Sequence, residues 1–186
     1  MTDIEFHLSF AQFGQAYAAL PKEDFLSRFS EPILLVDFEG VRDVPSNIEG
    51  TTPPPLEGAL TQFTPGHDEK LDTVVVVPVV KSDRNTMANV VTLGRANSND
   101  IVLPHGVISK LHAVFKKDPT TGQFSVTDAQ SKYGTAVDGY PLPPAEAYPL
   151  TSKSTIVFAK FVQAVVFSPR DFHQHMHLML HLGRDK

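Results

Sequence analysis

From residue 73 onward the chain alternates short runs rich in β-branched and aromatic residues with clusters of turn formers. Runs at 73–80, 90–95, 100–103, 111–117, 123–129, 135–137, 155–159 and 161–167 predict strands. Asp118-Pro119-Thr120-Thr121-Gly122 predicts a hairpin loop between two of them, and Asp138-Gly139 a tight turn. Many short strands with frequent turn signals predict an antiparallel sandwich or barrel. Before residue 30 the period changes. Phe10, Phe13, Ala16, Tyr17 and Leu20 recur three or four apart, as on one face of a helix that Pro21 ends. Residues 23–29 repeat the pattern briefly through Phe25, Leu26 and Phe29, and 33–38 forms an apolar strand candidate. At the far end, Ser168-Pro169 predicts a helix start with a hydroxyl N-cap and proline at the first helical position. Phe172, Met176, Met179 and Leu180 form its apolar stripe, and Gly183 stands where it would stop.

Residues 45–72 carry Pro53-Pro54-Pro55, Gly50, Gly58 and Pro65-Gly66, which predicts a linker with little regular structure. The division that follows is an N-terminal helical and strand appendage over 1–44, a Pro/Gly-rich linker over 45–72, a β-sandwich over 73–168 and a C-terminal helix over 169–186. Some forty residues rarely hold a core alone, so the appendage is expected to dock on the sandwich.

Composition narrows the function classes. The chain has 186 residues, 41% hydrophobic and 20% charged, which is ordinary for a globular protein. A formal net charge of −5 argues against a general binder of nucleic acid or acidic membranes, though it allows a local basic pocket. Cysteine is absent, so no thiolate chemistry is available, which fits the cytoplasm. The longest apolar run, 74–80, is interrupted by Pro78 and falls far short of the ~20 residues a spanning helix needs. No basic, apolar leader opens the sequence, so a cytoplasmic protein is expected.

The candidate chemistry lies between residues 92 and 135. Gly94-Arg95 ends one predicted strand, Ser109 follows fourteen residues after Arg95, His112 comes three further on, and Ser131-Lys132-Tyr133-Gly134-Thr135 opens the next strand but one. In order and spacing these residues resemble the forkhead-associated (FHA) domain, whose pattern is Gly-Arg, then Ser-x-x-His, then Asn-Gly. The segment Asn97-Ser98-Asn99-Asp100-Ile101-Val102-Leu103 also resembles what family members carry between the first two motifs. The resemblance covers about half the chain. It implies an antiparallel β-sandwich that binds phosphothreonine peptides without catalysis, in Ser/Thr kinase signalling.

The resemblance further implies that Arg95 and Ser109 contact the phosphate, that His112 holds a loop in shape, and that the 131–134 loop approaches both phosphate and peptide. A phosphothreonine carries close to two negative charges and three acceptor oxygens. Arg95 offers a planar fork of donors, Ser109 a hydroxyl, and Lys110 a backbone N–H and an ammonium. Gly94, His112 and Gly134 are expected to shape the loops, and Lys132 and Tyr133 to complete the peptide-binding set. Tyr133 departs from the family's Asn and lacks an amide that both donates and accepts. Either the peptide is gripped differently, with Lys132 adding charge, or phosphate is no longer read. The alternative function is therefore a scaffold of the same fold that binds an unphosphorylated partner or a second copy of itself.

His173, His177 and His181 share one helical stripe at a spacing that can hold a transition metal, yet the polar flank of an amphipathic helix explains them more simply. No metal or other cofactor is expected. No nucleophile elbow, P-loop, dinucleotide fingerprint or zinc-protease helix is present, so no enzyme is expected. The partner, the residues around its phosphothreonine and the oligomeric state are not specified by the sequence.

Overall fold

In the computed structural model, residues 8–38 and 74–182 are described, and the structure reported below concerns these residues. The expected linker at 45–72 and the stop at Gly183 lie outside them. The elements in chain order are β1 (Leu8–Ser9), α1 (Phe10–Tyr17), α2 (Lys22–Arg28), β2 (Ile33–Asp37) and β3 (Val74–Pro78). There follow β4 (Val91–Gly94), β5 (Ile101–Val102), β6 (Ala113–Lys117), β7 (Phe124–Asp128), β8 (Thr135–Val137) and β9 (Tyr140–Pro141). The last are β10 (Ala147–Pro149), β11 (Thr155–Phe158), β12 (Val162–Phe167) and α3 (Pro169–Leu182).

Two sheets form a sandwich. One is ordered β1-β3-β2-β12-β11-β8-β9, the other β10-β7-β6-β4-β5. All pairings are antiparallel except that of β4 with β5, which is parallel. The protein is mainly β, as the alternation of strands and turns predicts. The Asp138-Gly139 turn joins β8 to β9 with positive φ at both residues and Val137 opposite Tyr140, the backbone twist that suits adjacent antiparallel strands. In the β6–β7 loop the Asp118 carboxylate accepts from the amides of Thr120 and Thr121, and Gly122 takes the positive φ that closes it.

The sandwich core is filled from both sheets. Leu34, Val36, Val77, Ile156, Phe158 and Val162 face Leu93, Ala113, Phe115 and Val126. A second core lies on the opposite face of the larger sheet. There Ile33, Leu35, Val74, Val76 and Phe167 pack beneath Phe10, Phe13, Phe25 and Phe29 of the N-terminal helices and Phe172, Met176 and Met179 of α3. This explains why β2 is apolar without alternation. Successive residues point to opposite faces, and both faces are covered.

The position of β2 changes the role expected for residues 1–44. β2 lies inside the larger sheet, paired with β12 on one side and β3 on the other. The N-terminal segment thus supplies a central strand of the sandwich as well as a layer docked on it. Ser9 caps α1 through a reciprocal pair, its hydroxyl accepting from the Gln12 amide while the Gln12 side chain accepts from the Ser9 amide. Ser168 caps α3 as expected, accepting from the Asp171 amide at 3.2 Å. The two- and three-residue strands β1, β9 and β10 have no counterpart among the predicted elements.

Candidate functional site

Three loops meet at one end of the sandwich. The first follows β4 and carries Arg95. The second precedes β6 and carries Ser109 and Lys110. The third joins β7 to β8 and carries Ser131, Lys132, Tyr133 and Gly134. Strand register explains the meeting, because Ala113 at the start of β6 lies opposite both Leu93 near the end of β4 and Asp128 at the end of β7.

Ser109 is the knot between them. Its carbonyl accepts from the Arg95 amide at 2.9 Å, and its hydroxyl oxygen accepts from the Lys132 amide at 2.9 Å. Among the described residues the hydroxyl proton has no acceptor. Beside it, the Ala96 amide donates to the Lys110 carbonyl at 3.2 Å. Gly94 permits this close approach. A Cβ built there would lie 2.3 Å from the Lys110 carbonyl oxygen and 2.8 Å from the Asn99 amide nitrogen, nearer than real Cβ atoms come to any neighbour. Asn99, itself buried, donates from that nitrogen to the carbonyls of Ala96 (2.8 Å) and Lys110 (2.7 Å).

His112 ties the second loop to the third. It is fully buried, its Nδ1 accepts from the Ser109 amide at 3.1 Å, and its Nε2 lies 3.2 Å from the Gly134 carbonyl. A carbonyl only accepts, so Nε2 carries the proton and the ring is neutral. Burial pushes the His112 pKa down, against the opposing pull of Asp128 and the Gly134 carbonyl, and so favours the same neutral form. Asp128 shapes the third loop by accepting from the Ser131 amide (2.9 Å), the Ser131 hydroxyl (2.7 Å) and the Thr135 hydroxyl (2.6 Å). Its burial favours the protonated acid, but those hydrogen bonds outweigh it and hold the carboxyl below its usual range. The Ser131 oxygen in turn accepts from the Gly134 amide, and Gly134 adopts a φ of 79° that a side chain would strain.

Onto this frame the exposed side chains of Arg95, Lys110 and Lys132 are mounted. The Arg95 guanidinium makes no hydrogen bond or ion pair with any described residue. Tyr133 behaves differently. Its ring is half-buried against the sandwich core, and the Lys132 ammonium sits 5.0 Å from the ring centroid. The structure thus brings together Gly94, Arg95, Ser109, Lys110, His112, Lys132, Tyr133 and Gly134. It gathers three cations, a hydroxyl proton with no acceptor among the described residues and hydrogen-bonded loop backbone at one end of a protein whose net charge is negative.

Sequence reasoning missed the buried polar residues behind the loops. Asn99 and Asp128 brace the site directly. Asp100 braces the chain around it, accepting from Lys81 (3.0 Å), the Ser82 amide (2.8 Å), Asn85 (2.7 Å) and the Thr92 amide (2.8 Å). Burial raises its pKa, but hydrogen bonds from Asn85, Thr92, Ser82 and Lys81 overcome that and bring the carboxyl to about 2. The available signal was the run of short amide, hydroxyl and carboxyl side chains at 97–100, a type that bonds readily to nearby backbone.

The FHA domain family matches residues 91–159, a range that contains all three loops. No curated protein matches the chain. Among solved structures, an FHA domain of an Arabidopsis thaliana hypothetical protein is 18% identical with a TM-score of 0.44, covering 75% of this chain and 88% of that one. A crystal structure of the MEK1 FHA domain is 22% identical with a TM-score of 0.43, covering 74% and 88%. The MEK1 FHA domain bound to a phosphothreonine peptide of HOP1 is 26% identical with a TM-score of 0.41, covering 50% and 87%. Among the described residues, no helix is long and apolar enough to cross a membrane.

Proposed function

We propose, on the premise that this chain carries an FHA domain over residues 91–159, that it is a non-catalytic module binding phosphothreonine-containing proteins in Ser/Thr kinase signalling. The observation that carries the reading is the Ser109 knot, which fixes the roots of Arg95 and Lys132 to one residue whose own hydroxyl proton remains available. Arg95 forks onto the phosphate oxygens, Ser109 donates its hydroxyl, and Lys110 and Lys132 supply further positive charge. Gly94, His112 and Gly134 take no part in contact and hold the three loops together in fixed positions. Preorganisation of this kind lowers the ordering cost of binding.

Tyr133 forms a wall of the site in this reading. A ring anchored in the core with a cation on its face cannot swing like a free side chain, so peptide main-chain recognition passes to other groups on the loops. The test is calorimetry with a phosphothreonine peptide selected from a library, beside its unphosphorylated twin. Wild type is expected to bind only the phosphorylated form. Arg95→Ala is expected to weaken binding by about 1.5–3 kcal/mol, with Arg95→Lys rescuing only part because a point charge lacks the fork. Equal affinity for both peptides would favour the rival scaffold that binds an unphosphorylated partner.

A further inference from the structure

The helix α3 bears a feature that phosphate recognition does not use. His173 and His177, one turn apart, point their Nε2 atoms at each other across 3.3 Å, with ring centroids 4.5 Å apart. Both rings are half-buried. His173 is also held edge-on against Phe25 of α2, centroids 5.0 Å apart, so its ring orientation is set by the neighbouring helix.

The separation of the two nitrogens matches a shared metal ion. Imidazole nitrogens bind zinc at roughly 2.0–2.1 Å, and two such bonds spanning 3.3 Å meet at an angle of roughly 104–111°, which brackets the tetrahedral value. We propose that His173 and His177 form a two-histidine site for a divalent transition-metal ion of the zinc, nickel or copper class. Imidazole suits these ions, and neighbours four apart on a helix reach one ion without backbone movement. With no cysteine in the chain, no thiolate competes for the ion. Among the described residues no third His, Asp or Glu joins the pair, so the remaining coordination positions are left to water or to a ligand from outside the chain. An ion bound here links successive turns of the helix that covers the second core.

A plain hydrogen bond between two neutral imidazoles would give a similar separation, and metal titration distinguishes the two. Untagged, metal-stripped full-length protein is titrated calorimetrically with zinc chloride and with nickel chloride. One saturable site is expected, weakened about tenfold or more by His177→Gln and by His173→Gln, since disturbing even an outer-shell partner has that effect. His181→Gln, one turn further along, should leave it unchanged. Nuclear magnetic resonance of the wild-type histidine rings supplies a reading that does not depend on variant folding, with the signals of His173 and His177 shifting together on zinc addition. Absence of saturable uptake, or uptake equal in wild type and both substituted proteins, would overturn the site.

Discussion

The outer face of the larger sheet and the loop end of the sandwich are held by different physics. On the outer face the helical layer is an aromatic cluster, with Phe172 fully buried and within 6.3 Å, ring centre to ring centre, of Phe10, Phe13, Phe25 and Phe167. At the loop end, shape comes from directed polar contacts in which Ser109, His112 and Asp128 each serve two or more partners. Burial of apolar area is non-directional and tolerates a shift, whereas a buried polar group that loses its partner keeps the full cost of having left water. The helical layer should therefore govern how stable the protein is, and the loops how well it binds.

The largest effect should come from removing residues 1–44. That deletion takes away central strand β2, leaves β3 and β12 without their shared partner, and uncovers the part of the apolar outer face that α1 and α2 cover. Loss of soluble, cooperatively folding protein is expected. A soluble monomer with an unchanged melting temperature would break the contrast at its root. Next, Phe172→Ala should cost about 3–5 kcal/mol of stability in denaturant titration, while the folded fraction binds phosphopeptide with unchanged affinity. A parallel fall in affinity would show that the two regions are coupled.

Acid sharpens the comparison from the other side. The Asp100 carboxyl is depressed from 3.8 to about 2, so its stabilising contribution is complete above its unfolded value and disappears as pH falls from about 4 towards 2. The loss amounts to about 2 kcal/mol, read as a drop in melting temperature over that interval. Asp100→Asn should flatten this part of the profile, whereas Phe172→Ala should shift it down without changing its shape. His112 acts in the same direction at higher pH. Its depressed pKa means that stability declines as pH falls below about 6.5, when the unfolded chain takes up a proton the folded ring resists. The smallest effect is expected for Tyr133→Asn, which should leave phosphopeptide affinity unchanged or weaker by no more than about 1 kcal/mol. Binding seen only in the Asn variant would show that the native ring blocks the site.

Strands and motifs were legible where information is local. β-branched runs and turn chemistry place β4, β6, β7, β11 and β12, and three ordered motifs place the loops. The central position of β2 was not legible, because its partners β3 and β12 lie far away in the chain and pairing is a long-range property. Nor were β1, β9 and β10, which are too short to show a period and are strands only because a neighbour pairs with them. At the site, exposed Arg95, Lys110 and Lys132 announced themselves by charge type and spacing. Asn99 and Asp128 did not, since a polar residue's burial depends on what the rest of the chain folds around it. The facing nitrogens of His173 and His177 likewise depend on rotamers, which spacing alone leaves open.

Gly94 constrains how such a protein can change over generations. Lys110 and Lys132 can be exchanged one at a time, each step retuning charge while the frame stands. Position 94 has no such graded neighbours, because even alanine sets a carbon 2.3 Å from the Lys110 carbonyl oxygen and pushes the first two loops apart. Partner preference can therefore drift through the exposed side chains, whereas a single hydrogen-to-methyl exchange at the end of β4 strikes the frame on which all of them depend.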